Sequence, residues 1–477
     1  MPTSKDGRGF NVPYPAIHRL DHDILLSIFH YYRLDEKNGW NDRLGWCKLS
    51  HVCQRWRHLI YECSSHLGMH IRCTKGSPMV NTLNHLPLLP LFVHYRFLHH
   101  SAPIVLEQDE LGIYHTLRLH GRIRHIKLSL PPSILHKALE LMNENFPILE
   151  HLYLIGPFSA DSGHCLPLTL PKTFLAPSLR HLTLFGIGLP KRLRVLTSTV
   201  SLVTLTLGHI QTSSYFRPRL LVARLRSLPL LEELTIGFSI PIPRPSTERE
   251  LLGEKGAPIT LPSLKTLQFR GVGVYLESLV AQIRVPLLEQ LYIRLFNQIA
   301  FVLPHLFYLI NNTNVFKLSS ATVGFHDDEV CVSTGTVHNH GLERIPFSLY
   351  VMCRQLDWQI DCAAQICHAL IPTLSGVEEL SLVPGYQARL TEMGNIGIDS
   401  ASWHDLLRRF IGVKELHMYR GLMEELSRAL QADEILLDPG FLPNLRFIRA
   451  ADNLFTSFID ARRVVGRPVT YTFQLSW

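Results

Sequence analysis

The segment FPILEHLYLIG, residues 146–156, contains the pattern P-x-L-x-x-L-x-L, and this pattern recurs along the middle of the chain. Clear copies are APSLRHLTLFG (176–186), LPLLEELTIGF (228–238), LPSLKTLQFRG (261–271) and VPLLEQLYIRL (285–295). With two weaker copies included, the middle apolar residue falls at positions 126, 152, 182, 205, 234, 267 and 291, in steps of 23 to 33 residues. Such a period indicates a solenoid of stacked repeats.

Alternate residues of each L-x-L stretch point to opposite faces of a short strand, so the leucines face inward and the residues between them face outward. One such strand cannot bury its inner face alone, whereas stacked neighbours form a continuous core. The return segment SILHKALELMNENF (133–146) has apolar residues at helical spacing. The sequence therefore predicts an α/β fold, an irregular solenoid with parallel strands on its concave side and helices on its convex side.

The repeats and their interruptions define the expected domains. We assign residues 121–477 to the solenoid, with a loop insertion near 240–258, rich in proline and charge, and an irregular segment near 319–375 that fits strands of a distorted repeat. Residues 63–120 form a linker and a first irregular solenoid segment. Residues 17–62 form a separate helical domain, and residues 1–16 a disordered N-terminus.

Two amphipathic helices are predicted within residues 17–62. In the first, Asp21 is the expected N-cap and Asp23 lies in the first turn, where acidic side chains are favourable. The second has an apolar stripe at spacings of i, i+3, i+4, i+7 and i+11, formed by Leu49, Val52, Cys53, Trp56 and Ile60. Composition alone therefore indicates a helical hairpin whose stripe faces a partner or a small core.

This hairpin resembles an F-box, whose pattern is roughly L-P-x-E-[IL]-[LI]-x-x-I-F, a variable turn, and L-x-x-V-C-x-x-W-x-x-[LI]. The most specific match is VCQRW, residues 52–56. The chain departs from the family at Asp21, where a proline is usual, and in an insertion at residues 35–42. The resemblance assigns adaptor binding to Leu20, Ile24, Leu25, Ile28, Phe29, Leu49, Val52, Cys53, Trp56 and Ile60.

The repeats resemble the leucine-rich-repeat family, although the Asn or Cys usual after each strand is absent. F-box and leucine-rich repeats together imply a substrate receptor of an SCF-type E3 ubiquitin ligase. The hairpin would dock on a Skp-type adaptor, and through it on a cullin-RING ligase, while the repeats hold a protein substrate for ubiquitination. Two alternatives stay open: the hairpin merely caps the solenoid, or the repeats form an interaction scaffold without ligase coupling.

A substrate would contact the outward columns of the strands. Binding hot spots favour aromatic side chains and arginine. The predicted substrate-binding residues are Tyr153, Phe185, Arg270, Tyr292, Arg294, His417 and Tyr419. Any one of them also fits an ordinary cross-strand neighbour that stabilises the sheet, so the prediction concerns the cluster.

The net charge of +7 is unevenly distributed. Residues 111–240 contain 14 Lys/Arg against 6 Asp/Glu, whereas residues 301–477 contain 14 against 19. The basic excess fits solvated edges of surface helices or a surface for an acidic protein partner. Nucleic acid is disfavoured because no nucleic-acid motif accompanies these residues: Lys191, Arg192, Arg194, Arg217, Arg219, Arg224 and Arg226.

No metal, cofactor or catalytic site is expected. His125, His151 and His181 stand in successive repeats, but parallel strands about 4.8 Å apart place the outer two too far apart for one zinc ion. Cys362, Cys367 and His368 lack a second pair at zinc-finger spacing. The sequence has no Walker A, G-x-S-x-G or H-E-x-x-H motif, so we expect a non-catalytic subunit.

The sequence also predicts where the protein resides. No stretch of about 18 uninterrupted apolar residues exists, and the first residues lack the apolar core of a secretory signal. The nine cysteines fit reduced, buried thiols. We therefore expect a cytoplasmic or nuclear protein with no membrane partner.

Overall fold

A computed structural model describes most of the chain. The described residues are 17, 20–34, 45–63, 70–76, 83, 89–96, 105–156, 168–190, 195–241, 257–296, 302–335, 345–353, 356–384, 400–419, 422–431, 438, 440–450 and 453–473. They form two compact units, Met1–His151 and Leu152–Trp477. The predicted disordered residues 1–16 and most of the loop near 240–258 lie outside the described residues.

The first unit contains the helical hairpin and the first strands. Its helices are α1 (His22–Leu34), α2 (Gly45–Ser50), α3 (Gln54–Glu62), α4 (Glu107–Leu117) and α5 (Pro132–Leu141). Its strands β1 (Ile71–Thr74), β2 (Leu91–Arg96) and β3 (Ile123–Ser129) pair in parallel, in chain order. The unit ends at the first residue of β4 (His151–Ile155).

The helix predicted over residues 133–146 is α5. Pro132 occupies its first position, where the missing amide hydrogen costs nothing. The helix buries Leu135, Ala138 and Leu139, residues that share one face at helical spacing. It ends at Leu141, earlier than the predicted stretch, and Phe146 is buried in the turn that follows. The return segment is therefore an amphipathic helix, as the spacing indicated.

The second unit contains the remaining repeats. Its strands after β4 are β5 (His181–Phe185), β6 (Thr204–Ile210), β7 (Glu233–Phe238), β8 (Ile259–Thr260), β9 (Thr266–Gly271), β10 (Ile283–Arg284), β11 (Gln290–Leu295), β12 (Ser320–Phe325), β13 (Glu329–Thr334), β14 (Phe347–Met352), β15 (Glu379–Pro384), β16 (Glu415–Met418), β17 (Phe447–Ala450) and β18 (Thr470–Phe473). Its helices are α6 (Val195–Ser198), α7 (Pro218–Leu225), α8 (Gly273–Val280), α9 (Pro304–Asn312), α10 (Leu356–Ala369), α11 (Ile371–Leu374), α12 (Ser400–Leu407), α13 (Met423–Leu430) and α14 (Thr456–Val464).

The strands of the second unit form one long sheet in the order β4-β5-β6-β7-β9-β11-β14-β13-β12-β15-β16-β17-β18. Strands β8 and β10 pair separately, in parallel. Each P-x-L turn is closed by a backbone hydrogen bond of i→i+3 type; the amide of Leu179, for example, donates to Ala176 at 3.1 Å. This repeated turn fixes the register, so the second leucines of neighbouring repeats lie side by side, as Leu234 does beside Leu267. The leucines form the inner face, as predicted.

The irregular segment near 319–375 forms an insertion that interrupts the parallel order. Strand β13 is antiparallel to both β12 and β14, while β12 pairs in parallel with β15 and β14 in parallel with β11. Along the chain, β12 comes first and lies farthest from β11 in the sheet, and β14 comes last and pairs with β11. The sequence set this segment apart as irregular and left its structure open. The structure shows that β13 is antiparallel to its neighbours, and the short hairpin between β12 and β13 allows only that direction.

Candidate functional site

The N-terminal helices have a small core of their own. Phe29 of α1 is fully buried and meets Trp56 of α3 edge to face, with ring centroids 4.8 Å apart. The Cys53 sulfur accepts a hydrogen bond from the Trp56 amide and so caps α3, while an Arg55 nitrogen donates to the Leu20 carbonyl at 2.6 Å. These contacts hold the hairpin closed.

The predicted adaptor-binding residues divide between this core and the surface. Ile24, Ile28 and Val52 are exposed, with 47%, 39% and 58% of their surface in solvent. Leu20 and Cys53 are half-buried. The remaining five pack inside: Leu25, Phe29, Leu49, Trp56 and Ile60. The apolar stripe therefore serves two purposes, since one row stabilises the hairpin and another stays available to a partner.

On the second unit, the outward side chains of the sheet fall into two rows. The first row runs through Thr183, Thr206, Thr235, Gln268, Tyr292 and Ser348. The second row, two residues further along each strand, joins Gly237, Arg270, Arg294, Tyr350 and Cys331. The two rows bring together three of the predicted substrate-binding residues, Arg270, Tyr292 and Arg294.

Arg294 is held by a carboxylate from the insertion. Its Nε donates to Oε2 of Glu329 at 2.6 Å, and Glu329 is buried. This bond raises the pKa of the Arg294 guanidinium. The guanidinium carbon also lies 6.0 Å from the ring centroid of Tyr350, whose ring is 5.1 Å from that of Tyr292. Arg294 is therefore a cation that is paired with a carboxylate and lies over the ring of Tyr350.

Among the described residues, no carboxylate is hydrogen-bonded to Arg270, although the charge of Glu329 acts on it. Its Nε is buried and makes no hydrogen bond among the described residues, and its guanidinium carbon lies 5.7 Å from the ring centroid of Phe296. Burial and then the neighbouring charge of Arg294 lower the pKa of Arg270. A pKa lowered from an ordinary value of 12.5 still leaves the guanidinium charged at neutral pH. The site therefore contains a charged guanidinium that is hydrogen-bonded to no carboxylate of the described residues.

Glycines let large side chains lie flat on this face. A Cβ on Gly208 would stand 2.3 Å from the ring of Phe185, so Phe185 covers the glycine. The next residue, His209, has a positive φ of 51°, a strained conformation of the kind that clusters at functional sites. Burial and the charge of Arg270 lower the pKa of His209, which is therefore neutral at pH 7. Phe185 and His209 thus border the Arg270 cluster on its other side.

The other predicted substrate-binding residues lie elsewhere. Tyr153 is half-buried on β4. His417 is buried on β16, with Nε2 3.4 Å from a carboxylate oxygen of Glu379, and Tyr419 follows it, 37% exposed. Strand β16 is five places from β11 in the sheet, or about 24 Å at the usual strand spacing. The insertion therefore separates His417 and Tyr419 from the Arg270 cluster.

A second group, in the first unit, could in principle hold a metal ion. Ligand atoms of His125, Glu150 and His151 lie within 4.8 Å of one another. Glu150 already pairs with Arg124 at 2.9 Å, and the rings of His125 and His151 are in contact, with centroids 4.0 Å apart and planes tilted by 36°. His181, which the sequence placed in the same column, contacts Thr204 instead. The ion pair and the ring contact occupy these side chains, so we assign them no metal.

Several residues of the cluster were not expected from the sequence. Four of them belong to no sequence motif: Glu329 and Tyr350, which lie in the insertion, and His209 and Phe296. Burial raises the pKa of the Cys331 thiol, beside Tyr350, to about 12. The alternation of Phe347–Met352, FSLYVM, was the one local sign that Tyr350 faces outward.

Of the basic residues named from the sequence, 191, 192 and 194 lie outside the described residues, while Arg219 and Arg226 are exposed around α7.

Comparisons with known proteins give little further guidance. No family model and no curated protein matches this chain. Among solved structures, the leucine-rich repeat-containing protein LegL7 from Legionella pneumophila is similar to it, with 11% identity and a TM-score of 0.26, covering 84% of this chain and 99% of that chain. A similarity this distant carries no argument about function. Among the described residues, no helix is long and apolar enough to cross a membrane.

Proposed function

We propose that this chain is a substrate receptor of an SCF-type E3 ubiquitin ligase. In this proposal the N-terminal hairpin binds a Skp-type adaptor, and the outer face of the repeat sheet binds the protein to be ubiquitinated. The main support is that the apolar residues of α1 lie on two faces, one buried and one exposed. Leu25 and Phe29 point into the hairpin, whereas Ile24 and Ile28 form a second apolar row in solvent.

That second row is what a partner helix or groove would cover. Residues four apart share one helix face, so Ile24 and Ile28 adjoin each other on the surface of α1. Val52, at the turn before α3, is exposed as well. Burying apolar surface contributes about 25 cal/mol per Å², and helix-in-groove complexes gain most of their affinity in this way. The exposed row therefore supports docking better than a hairpin that serves only as a cap.

The substrate half of the proposal is supported by the cluster around Arg270. Aromatic rings and guanidinium groups, the side chains that contribute most to protein interfaces, lie together on β9, β11 and β14. The chain would supply binding surface and no chemistry of its own, which agrees with the absence of catalytic motifs from the sequence.

A pull-down of purified Skp-type adaptor by the full chain tests the adaptor half. We expect Val52→Asp and Ile28→Asp to abolish capture, because each places a charge in the apolar contact. The neighbouring exposed residues give matched controls, His51→Asp and Ser27→Asp, which should retain capture. Circular dichroism should show wild-type helix content for all four variants. Capture that is unaffected by Val52→Asp and Ile28→Asp contradicts the proposed docking surface.

One observation favours a second candidate function, a repeat scaffold without ligase coupling. Asp21 stands where the resembled family usually has proline. In this structure the Asp21 carbonyl accepts a hydrogen bond from the amide of Leu25, at 3.1 Å, at the start of α1. A folded chain that captures no adaptor favours the scaffold. Restoring capture by Asp21→Pro would then assign the loss of docking to that residue.

A further inference from the structure

We propose that Arg270 is the receptor for one carboxylate, an Asp or Glu side chain on an extended segment of the protein partner. This inference rests on the proposed use of the sheet face for partner binding and adds the chemistry of the segment that binds there. Arg270, Arg294, Tyr292 and Tyr350 form the site, on β9, β11 and β14.

Charge is the first argument. Arg270 is half-buried, and its buried Nε makes no hydrogen bond with any described residue. Partly desolvated charges are costly unless a counter-charge and hydrogen bonds compensate them. A carboxylate would supply both, because its two oxygens match the fork of guanidinium N–H donors. A bound anion thus removes the electrostatic penalty that the free protein bears.

The single guanidinium that lacks a hydrogen-bonded carboxylate favours a carboxylate ligand over a phosphorylated side chain. Arg294 is paired with Glu329, and the charge of the exposed Asp328 also acts on it, so Arg270 is left as the one guanidinium of the site without a hydrogen-bonded carboxylate among the described residues. His209 adds no charge at pH 7, because its pKa is lowered from 6.5. A carboxylate has a charge of −1, whereas a phosphorylated side chain has about −1.5 to −2. Phosphate would therefore bring an excess negative charge close to the Glu329 carboxylate.

The lack of free backbone amides at this site favours a side-chain carboxylate over the C-terminal carboxylate of a chain. Capture of a chain's C-terminal carboxylate uses a nest of free backbone amides. The amides of β9 and β11 take part in ladders, since β9 lies between β7 and β11, and β11 lies between β9 and β14. Only side-chain donors face outward here. An extended segment would lay its acidic residue on Arg270 and a neighbouring apolar residue against Tyr292, which is 38% exposed.

Peptide pools test this assignment. The probes are fluorescein-labelled nine-residue peptides with random flanks, blocked at both ends, with Asp, Asn or phosphoserine fixed at the centre. Fluorescence anisotropy with the full chain should show the Asp pool binding at least about tenfold more tightly than the Asn pool. Arg270→Gln should remove this preference. Arg226→Gln, which changes an exposed arginine next to α7, should retain it.

The remaining outcomes decide against the inference. Equal binding of the Asp and Asn pools, binding of neither pool, or a preference for Asp that survives Arg270→Gln would overturn it. Tightest binding by the phosphoserine pool would replace the carboxylate with a phosphopeptide. Adaptor capture by the Arg270→Gln variant, measured in parallel, should equal that of the wild type. A wild-type chain that prefers the Asp pool but captures no adaptor would count against the proposed ligase coupling and would leave this inference standing.

Discussion

Nε of Arg294 donates a hydrogen bond to Oε2 of Glu329 at 2.6 Å, although the two residues lie on strands that do not pair. Strand β14 lies between β11 and β13, so the two side chains reach across it. The Glu329 side chain is 9% exposed and that of Arg294 34%. Together with the pairing of β14 with β11, this ion pair links the antiparallel insertion to the regular repeats, and it pairs one of the two arginines of the Arg270 cluster.

Removing this carboxylate should lower stability and change ligand preference. We expect Glu329→Gln to lower the free energy of unfolding by roughly 1–3 kcal/mol, because a hydrogen bond between charged groups is lost from a partly buried site. Urea unfolding measures this. Glu378→Gln, which breaks the exposed pair with Lys414, should cost less than about 0.5 kcal/mol. Glu329→Gln should also improve binding of the phosphoserine pool, and equal effects of both variants would contradict this account.

Arg462 should be essential to the last repeats. This buried side chain donates to the carbonyls of Phe441 and Leu442 at 3.1 and 3.0 Å, and Leu442 has a positive φ of 41°. Arg462→Met should destabilise the protein by about 3 kcal/mol, because the Phe441 carbonyl loses the Arg462 donor and the Leu442 carbonyl keeps only the Leu445 amide. Arg463→Met, at an exposed neighbouring position, should change stability by less than about 0.5 kcal/mol. Thermal unfolding of the two variants checks this difference, and equal melting temperatures would refute it.

Glu277 caps a helix other than its own. Its carboxylate accepts from the amides of His305 and Leu306 at 2.8 and 3.1 Å, at the start of α9, whose N-cap residue Leu303 has no capping side chain. Glu277→Ala should cost about 2–3 kcal/mol, since the carboxylate is buried and serves the positive end of the helix. The exposed variant Glu289→Ala should have little effect. Hydrogen exchange should show α9 losing protection first in Glu277→Ala; unchanged exchange there would rule out the cap.

Stability should fall in alkaline solution, in part because of Cys73. Burial raises the pKa of this thiol to about 11 from an ordinary value of 9.0. A raised folded pKa gives stability that is complete below pH 9 and is lost as the pH rises towards 11. The contribution is roughly 2–3 kcal/mol. Urea midpoints between pH 8 and 10.5 should therefore decline less steeply for Cys73→Ala than for the wild type. Parallel declines would show that this thiol does not titrate as described.

The repeats could be predicted from the sequence because their physical causes are local. The two leucines of each copy alternate along a strand, and the P-x-L turn before them is short, so position in the sequence fixes position in the sheet. Leu234 and Leu267 are neighbours for this reason. The same regularity placed Arg270, Tyr292 and Arg294 together on the outer face.

The insertion and its consequences could not be predicted in this way. The pairing of Glu329 with Arg294 depends on the reversed order of β14, β13 and β12, which is a long-range property of the fold. The hairpin shows a similar limit. The F-box resemblance grouped Leu25 with Ile24, and helical spacing grouped Trp56 with Val52. Packing of Phe29 against Trp56 determines which of these residues are buried.

The mass of the complex with a Skp-type adaptor tests the central claim most directly. Size-exclusion chromatography with light scattering should show the 54.5 kDa chain and one adaptor molecule migrating together. The Val52→Asp chain, mixed with the same adaptor, should elute as two separate species. A folded wild-type chain that elutes alone at its own mass, at adaptor concentrations of tens of micromolar, would contradict a role as ligase receptor.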